Sequence, residues 1–423
     1  MKAFAFGPRY AFVVAGVIFI ALLCTAGLRS STGVLMAPWE AAFGWTRSQI
    51  SLAAAIGIFL YGLAGPFSAA IMQSFGIRRT LLGALGLMTL ATSLTLFVRE
   101  PWQLYLTWGV LSGLGSGCVG MVLAATIVNR WFVRNRGLVT GLLTASTATG
   151  TLIFLPGLAA LTEMGGWKPV VTTLAVLTAG LIPVVWFILP ERPSAIGLVA
   201  WGADADAPVA PEPARANPFG AAVRVLLESA RKLDFWLLFG TFFFCGFTTN
   251  GLVGTHMISM CVDNGLAITA AAGLLAMMGV FDLVGTTASG WLTDRYDPRK
   301  LLFIYYGLRG VSLIYLPYSD FSLYSLSLFA VFYGLDWLAT VPPTLRLANQ
   351  AFGESKAPIV FGWIFTGHQM GAASAAFMGG ALRTSQGSYL EAFVVAGATA
   401  VAAGFAALLI GRGRREPAAA VTA

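Results

Sequence analysis

Six ionisable residues stand inside long apolar stretches of the chain, and their types indicate what chemistry those stretches could perform. They are Arg29, His256, Asp282, Arg309, Asp336 and His368. Because a charge at the centre of a bilayer costs at least about 2.5–3.5 kcal/mol, each of them is a functional hypothesis. An arginine can bind a carboxylate, a buried carboxylate can take up a proton, and a histidine can titrate near neutral pH. The set therefore predicts the binding of an anion and the movement of protons.

Arg29 is the first candidate for the anion site. In the stretch AGLRSSTG it shares one helical face with Thr25, Thr32 and Met36. An arginine does not deprotonate readily, so Arg29 would bind a carboxylate and would not relay protons. Thr32 is predicted to line the same site. Two alternatives stay open for Arg29, namely extension of its head group to the membrane surface and a structural ion pair.

Asp282 begins a polar face on its predicted helix. The face continues at helical spacing with Thr286, Ser289 and Thr293. At 1.5 Å per residue, Arg309 and Asp336 lie at the depth of Asp282 to within about one turn. The three residues therefore predict an Asp–Arg–Asp cluster, in which Arg309 is the first candidate partner of Asp282. The cluster is either a permanent ion pair or a place where one carboxylate takes up a proton.

Four further residues complete the predicted substrate site. They are Asn250, His256, Trp337 and His368. Either histidine could couple protons or hydrogen-bond a substrate, and the alternative for each is a neutral packing histidine. Trp337 could stack on an organic substrate. No cysteine or carboxylate stands at ligand spacing from a histidine, so we expect neither a metal ion nor a cofactor.

Membrane-spanning helices are the elements that must position these residues. The chain has 423 residues, of which 57% are hydrophobic and 10% charged, whereas soluble domains carry about 25% charged residues. A helix that crosses the hydrocarbon core needs about 20 mostly apolar residues, and lipid offers no partner to unpaired backbone groups. The sequence predicts twelve such helices, at residues 11–36, 48–72, 80–98, 102–128, 138–163, 168–190, 234–260, 268–293, 301–317, 322–348, 358–382 and 388–410. The fold class is therefore an all-α integral membrane protein.

The twelve predicted helices divide into two sets of six around one polar loop. We predict a first bundle at 1–190, a central loop at 191–233 and a second bundle at 234–423. Within the loop, an Ala-, Pro- and acid-rich segment at 203–218 is expected to be disordered. The amphipathic segment at 219–234 is expected to lie on the membrane surface.

The two sets of helices carry a weak internal repeat. NRWFVRNRG at 129–137 and NQAFGESKA at 349–357 place Asn, Phe and a basic residue at a constant offset. Six-helix halves with the same topology are typical of transporters with parallel repeats. A separate signal, Pro342 followed by Pro343, predicts a kink in helix 10.

The excess of lysine and arginine indicates orientation and not a nucleic-acid partner. The formal net charge is +8, and most basic residues fall in cytoplasmic loops if both termini are placed in the cytoplasm. We therefore predict a multi-pass protein of the plasma membrane, which is the inner membrane in a bacterium. The first apolar segment is too long for a signal peptide and is predicted to be helix 1.

Several loop motifs resemble those of a known family. GWLTDRYDPRK at 290–300 is similar to the helix 8–9 loop signature of the major facilitator superfamily. AAIMQSFGIRR at 69–79 resembles a degenerate copy, with Gln73 where an aspartate usually stands. NRWFVRNRGLVTGLLTASTATG at 129–150 resembles the helix 4–5 signature of monocarboxylate transporters. The resemblance implies two pseudo-symmetric six-helix bundles, with helices 1, 4, 7 and 10 around a central cavity.

The resemblance also implies roles for particular residues. Monocarboxylate transporters carry a basic residue near the position of Arg29, and on helix 8 they carry an aspartate and an arginine four residues apart. Here Asp282 is present, but Thr286 stands at the arginine position. The usual anion anchor of helix 8 is therefore missing.

Together the residues and the resemblance predict a monomeric secondary transporter that moves a small organic anion with protons by alternating access. The alternative is a transporter of a neutral or aromatic compound such as a vitamin or drug, which the missing arginine and the many aromatic residues favour. A sensor or membrane enzyme is a third hypothesis, but no catalytic triad supports it, and we expect no enzymatic activity. The chain has no Walker A motif, which argues against transport driven by ATP.

Overall fold

The computed structural model describes residues 7–203, 218–353 and 356–411. Most of the segment that is expected to be disordered, 203–218, lies outside these residues. Helices α1–α6 are Tyr10–Phe43, Arg47–Phe75, Ile77–Thr95, Pro101–Trp131, Arg136–Gly165 and Trp167–Ile188. Helices α7–α12 are Leu233–Asp263, Ile268–Arg295, Pro298–Tyr315, Leu323–Phe352, Ala357–Gln386 and Leu390–Ala407.

Ten of the helices in the described residues are long and apolar enough to cross a membrane, by length and composition. The two outside that count are α3, which carries Arg78 and Arg79, and α11, which carries His368 and Gln369. Each of the twelve predicted spans overlaps one of α1–α12. The prediction of an all-α membrane protein is confirmed.

Local signals set the ends of several helices. α1 continues past its predicted end at residue 36 and ends at Phe43, where Gly44 caps it with a left-handed φ of 69°. Thr46 and Gln49 form a capping box at the start of α2, and this satisfies two N–H groups that the first turn leaves free. The Asp297 carboxylate accepts the N–H of Arg299 at the start of α9.

Apolar packing and close helix crossings hold the first six helices (the N-half) to the last six (the C-half). One apolar cluster joins Val34, Leu155 and Ala159 of the N-half to apolar residues of α7, α8, α10 and α11. Between the halves, α2 lies against α11, where a Cβ atom on Gly62 would come 2.2 Å from Cβ of Gln369. α1 crosses α7, where a Cβ atom on Gly33 would lie 3.2 Å from the Gly254 carbonyl oxygen. Glycines at these points let the helices approach closely.

Three helices depart from α-helical geometry. π-helical turns occupy Tyr105–Leu111 in α4 and Phe247–Val253 in α7. α10 is interrupted between Asp336 and Val341, immediately before the two prolines. The predicted kink is confirmed, and its cause is that a proline has no N–H to donate to the preceding turn.

A short helix, Pro218–Ser229, follows the N-half and packs against α11. The Trp363 indole N–H donates to the carbonyl of Ala222 at 3.0 Å, and Lys356 pairs with Glu228 at 2.7 Å. These contacts lie at the terminal end of the bundle, the end where the described chain begins and finishes. The opposite end, which holds the α1–α2, α7–α8 and α11–α12 connections, is the far end.

Candidate functional site

Arg29 lies on α1 without an acidic partner among the described residues. Its side chain is half-buried, and its guanidinium lies over the Tyr61 ring at 4.3 Å from the ring centroid. The Nε atom is buried and has no hydrogen-bond acceptor. Stacking on an aromatic ring orients a guanidinium but leaves its in-plane N–H groups free. Arg29 therefore carries a charge that no described acid neutralises.

Arg309 on α9 has the opposite environment. It is 1% exposed, and its Nε donates to Asp336 Oδ2 at 2.6 Å. Its Nη1 donates to Cys245 Sγ at 3.1 Å, and its Nη2 donates to the carbonyl oxygens of Asp336 and, at 3.2 Å, Trp337. Because both terminal nitrogens and Nε have protein acceptors, Arg309 has little capacity left for a substrate.

Asp282 on α8 is bound by neutral donors. Its Oδ1 accepts the Thr286 hydroxyl at 2.8 Å and the backbone N–H of Leu338 at 2.9 Å. Among the described residues its carboxylate forms no ion pair, so the prediction that Arg309 is the ion-pair partner of Asp282 is wrong. The reason is that Arg309 meets Asp336 on α10, while the interruption of α10 presents the Leu338 N–H to Asp282.

Asp336 pairs with Arg309 through one carboxylate oxygen only. Oδ2 accepts the hydrogen bond from Arg309 Nε, and Oδ1 is buried and receives none. A buried carboxylate oxygen without a donor is a place where a proton is well accommodated. The Arg309–Asp336 part of the expected cluster is thus present, with one oxygen free to be protonated.

Thr32, predicted to contact substrate, is held within the N-half. Its hydroxyl accepts the Trp108 indole N–H at 3.0 Å and donates to the Arg29 carbonyl at 3.4 Å. Thr32 is therefore better placed to fix α1 against α4 than to bind a ligand directly.

Asn250 and Trp337 lie near the α1–α7 crossing. Asn250 is half-buried in the π-helical part of α7, and its side-chain amide makes no hydrogen bond to the described residues. A Cβ atom on Gly254 would lie 3.9 Å from the Trp337 ring, and Gly254 is the residue that Gly33 of α1 approaches. Arg29 is one turn before Gly33 on the same face of α1, and its guanidinium lies over the Tyr61 ring of α2.

His256, the second residue of α7 predicted to bind substrate, is fully buried with both ring nitrogens engaged. Nε2 lies 2.7 Å from the Ala376 carbonyl oxygen and Nδ1 lies 3.3 Å from the Tyr389 hydroxyl. A carbonyl can only accept, so Nε2 carries the proton and Nδ1 accepts from Tyr389. His256 has no nitrogen left for a substrate, which favours the packing alternative.

His368 on α11 is buried between two aromatic rings and retains an unused ring nitrogen. The ring stacks on Phe365 at 5.6 Å and contacts Phe242 at 4.8 Å. Its Nδ1 and the neighbouring Gln369 Nε2 are buried without hydrogen-bond partners. The structure thus separates the two histidines, with His256 towards the far end and His368 where α11 meets the first part of α7.

A network at the far end, which the sequence reasoning missed, joins the two halves. Arg47 of α2 donates from Nε to Glu40 of α1, from Nη2 to Asp263 of α7 at 3.1 Å, and from Nη1 to the Tyr389 hydroxyl at 2.8 Å. Arg383 of α11 pairs with the other oxygen of Asp263 at 2.8 Å. In the sequence Arg47 resembles any other charged residue of a loop. The only feature that could have indicated its ion pair is an acid, Glu40, on the other side of the α1–α2 turn.

Comparison with known proteins agrees with this architecture. The family model described as Major Facilitator Superfamily matches residues 18–335 and 258–422. The gallate transporter of Pseudomonas putida is 28% identical over 414 residues, covering 92% of this chain and 88% of that protein. Monocarboxylate transporter 13 of Bos taurus is 27% identical over 377 residues, covering 88% of this chain and 82% of that protein.

A solved structure supports the same fold. A bacterial homologue of the human lysosomal transporter Spinster, in an inward-facing and unoccupied conformation, superposes with a TM-score of 0.74. The match covers 97% of this chain and 99% of the other at 15% identity. From the family match and the helical architecture, we conclude that the chain is a multi-pass membrane protein that belongs to the major facilitator superfamily.

Proposed function

We propose that this protein is a proton-coupled secondary transporter of a small organic anion with a single carboxylate, working by alternating access. The two bundles, 1–190 and 234–423, would move against each other about the α1–α7 crossing, with 191–233 as their tether. One chain contains both bundles, so we propose that it acts as a monomer. Its place would be the plasma membrane, the inner membrane in a bacterium, with both termini in the cytoplasm.

The observation that carries the proposal is the difference between the two arginines inside the spans. Arg309 is saturated by Asp336, Cys245 and backbone carbonyls, whereas Arg29 has a stacked ring and no acid among the residues that the structure describes. The helix 8 position that would supply a second cation holds Thr286, whose hydroxyl is committed to Asp282. One available cation favours a substrate with one carboxylate. The relatives named for monocarboxylates and for gallate support the same class of substrate.

Replacement of Arg29 tests the anion site. In proteoliposomes with an inward proton gradient, we expect Arg29→Gln to lower uptake of gallate or lactate by about 10- to 100-fold, since a charge-assisted hydrogen bond contributes about 1.5–3 kcal/mol. Arg29→Lys should retain part of the activity because the charge remains. Arg79→Gln, an exposed arginine at the terminal end, is the matched control and should transport normally. Unchanged carboxylate uptake in Arg29→Gln would show the anion site to be wrong.

Asp336 is the proposed proton carrier, because Oδ1 has no donor and Oδ2 is the ion-pair acceptor of Arg309. Protonation of this carboxylate would weaken the ion pair with α9 and so alter the C-half during transport. We expect Asp336→Asn, which keeps an oxygen for Arg309, to fold with lower stability than wild type and to exchange substrate across the membrane without driving uptake by a pH gradient. Retained accumulation under a pH gradient would contradict the assignment.

A second candidate function is transport of a neutral aromatic compound such as a vitamin or drug. The observation that favours it is Thr286, which leaves the C-half without the helix 8 cation. Uptake by wild-type proteoliposomes of a series of mono- and dicarboxylates and of uncharged aromatic compounds separates the two candidates. A wild-type protein that carries no mono- or dicarboxylate, yet carries an uncharged aromatic compound, would establish the second candidate and exclude the first.

A further inference from the structure

The interruption in α10 leaves several peptide groups outside the helical hydrogen-bond ladder. Pro342 and Pro343 have no N–H, so the carbonyls of Leu338 and Ala339 lose their usual donors four residues on. Residues 337–340 form turns, and the Leu338 N–H also leaves the ladder. Free peptide groups at membrane depth must be satisfied by other parts of the protein.

The Leu338 carbonyl accepts the Val341 N–H at 2.9 Å, and side chains of α8 and α9 satisfy the other groups. Asp282 accepts the Leu338 N–H at 2.9 Å, and the Ser289 hydroxyl donates to the Ala339 carbonyl at 2.5 Å. From the other side, Arg309 donates to the Trp337 carbonyl at 3.2 Å and to the Asp336 carbonyl. The polar face of α8 and the buried arginine of α9 therefore meet at one short piece of backbone.

That piece of backbone carries Trp337, whose ring reaches the Gly254 position on α7. Gly254 is the residue that α1 approaches through Gly33, one turn from Arg29. A shift of the Trp337 backbone therefore moves an aromatic ring at the α1–α7 crossing, about one turn along α1 from the proposed anion site. Asp282, Ser289 and Arg309 would therefore affect the proposed anion site indirectly, through the α10 backbone.

We propose that Asp282, Ser289 and Arg309 are positioning residues for transport, which clamp the broken segment of α10 by its peptide groups and thereby set the place of Trp337 beside the α1–α7 crossing. This inference rests on the proposed function in that the substrate binds at that crossing. Asp282 then acts as the hydrogen-bond acceptor of the Leu338 N–H and not as a proton carrier. An asparagine oxygen accepts the same bond, and a leucine cannot.

Two substitutions at Asp282 test the clamp in the full-length protein. Uptake of gallate is measured in proteoliposomes per amount of folded protein, and amide hydrogen exchange is measured on peptides that cover 334–345. Asp282→Asn should keep KM within about twofold and keep its coupling to the pH gradient, because the acceptor remains. Asp282→Leu should raise KM by about fivefold or more with a smaller change in maximal rate, and should speed exchange at 337–340 while exchange in α3 stays the same.

Ser289→Ala provides a second variant in case Asp282→Leu does not fold. It removes one hydrogen bond to the Ala339 carbonyl and should raise KM by about twofold to threefold, with faster exchange in the same segment. Its matched control is Thr287→Val, an exposed threonine on α8 that bonds only within its own helix and should alter neither measurement.

The outcomes separate this inference from the proposed function. Exchange requires no substrate, so a folded Asp282→Leu or Ser289→Ala protein with wild-type exchange at 337–340 overturns the clamp whatever the substrate is. Faster exchange without a change in KM overturns the link to the transport site. Loss of proton coupling in Asp282→Asn overturns it too, because Asp282 would then be a proton carrier. Failure of the wild type to carry any carboxylate overturns the proposed function and leaves the exchange result to decide the clamp.

Discussion

Arg309→Met is expected to abolish most of the folded protein. The substitution leaves the Asp336 carboxylate buried without its cation and leaves two α10 carbonyls without their donors. Removal of one partner from a buried ion pair costs about 3–5 kcal/mol, since the remaining charge is desolvated and unpaired. The checks are the yield of monodisperse protein in detergent and its melting temperature, which we expect to fall by roughly 10 °C.

A second substitution, at Asp336, distinguishes loss of the ion pair from loss of the hydrogen bonds to the α10 carbonyls. The double variant Arg309→Met with Asp336→Leu removes the orphaned charge, so it should be more stable than Arg309→Met alone. It should remain less stable than wild type, because the α10 carbonyls stay without donors. Arg309→Lys keeps the charge but not the planar set of donors, so its stability should lie between that of Arg309→Met and that of wild type.

Arg299→Met is the matched control on the same helix. Arg299 pairs with Asp297 at 2.9 Å, but its side chain is 36% exposed, and surface ion pairs contribute about 0–1 kcal/mol. Its loss should leave yield and melting temperature nearly unchanged. Equal destabilisation by Arg299→Met and Arg309→Met would refute the view that burial makes Arg309 essential.

Depth in the membrane could be predicted from the sequence, whereas pairing could not. The rise per residue of a helix is fixed, so counting placed Arg309 and Asp336 at one level, and the structure joins them. Counting says nothing about rotation around each helix axis. It therefore could not show that α10 turns Asp336 towards Arg309, nor that Asp282 would meet a backbone N–H.

The helix break itself could be predicted from Pro342 and Pro343, but not what would satisfy it. The partners of its peptide groups come from α8, 50 and 56 residues away in sequence, and from α9, 28 residues away, and only tertiary packing brings them together. The same limit applies to Arg29. Its residue type indicates an anion site, but the lack of an acidic partner among the described residues depends on how the neighbouring helices pack.

The far-end network provides the second large effect, on conformation and not on folding. Arg47 of the N-half binds Asp263 and Tyr389 of the C-half, so it must release both when the halves separate at that end. Charge-assisted hydrogen bonds contribute about 1.5–3 kcal/mol each. We therefore expect Arg47→Gln to raise the population open at the far end by about 10- to 100-fold.

Distances between spin labels measure this shift directly. Met164, in the last turn of α5, and Leu323, the first residue of α10, are exposed at the far end, at 83% and 58%. The pair Met164→Cys and Leu323→Cys reports their separation. The Arg47→Gln background should show a longer-distance population that the wild-type background nearly lacks. Arg383→Gln is the matched control, because Arg383 and Asp263 both belong to the C-half and their ion pair does not cross between the halves. If Arg383→Gln opens the far end as much as Arg47→Gln does, then loss of any cation beside Asp263 is enough to open it. In that case the contact of Arg47 across the two halves is not what holds them together.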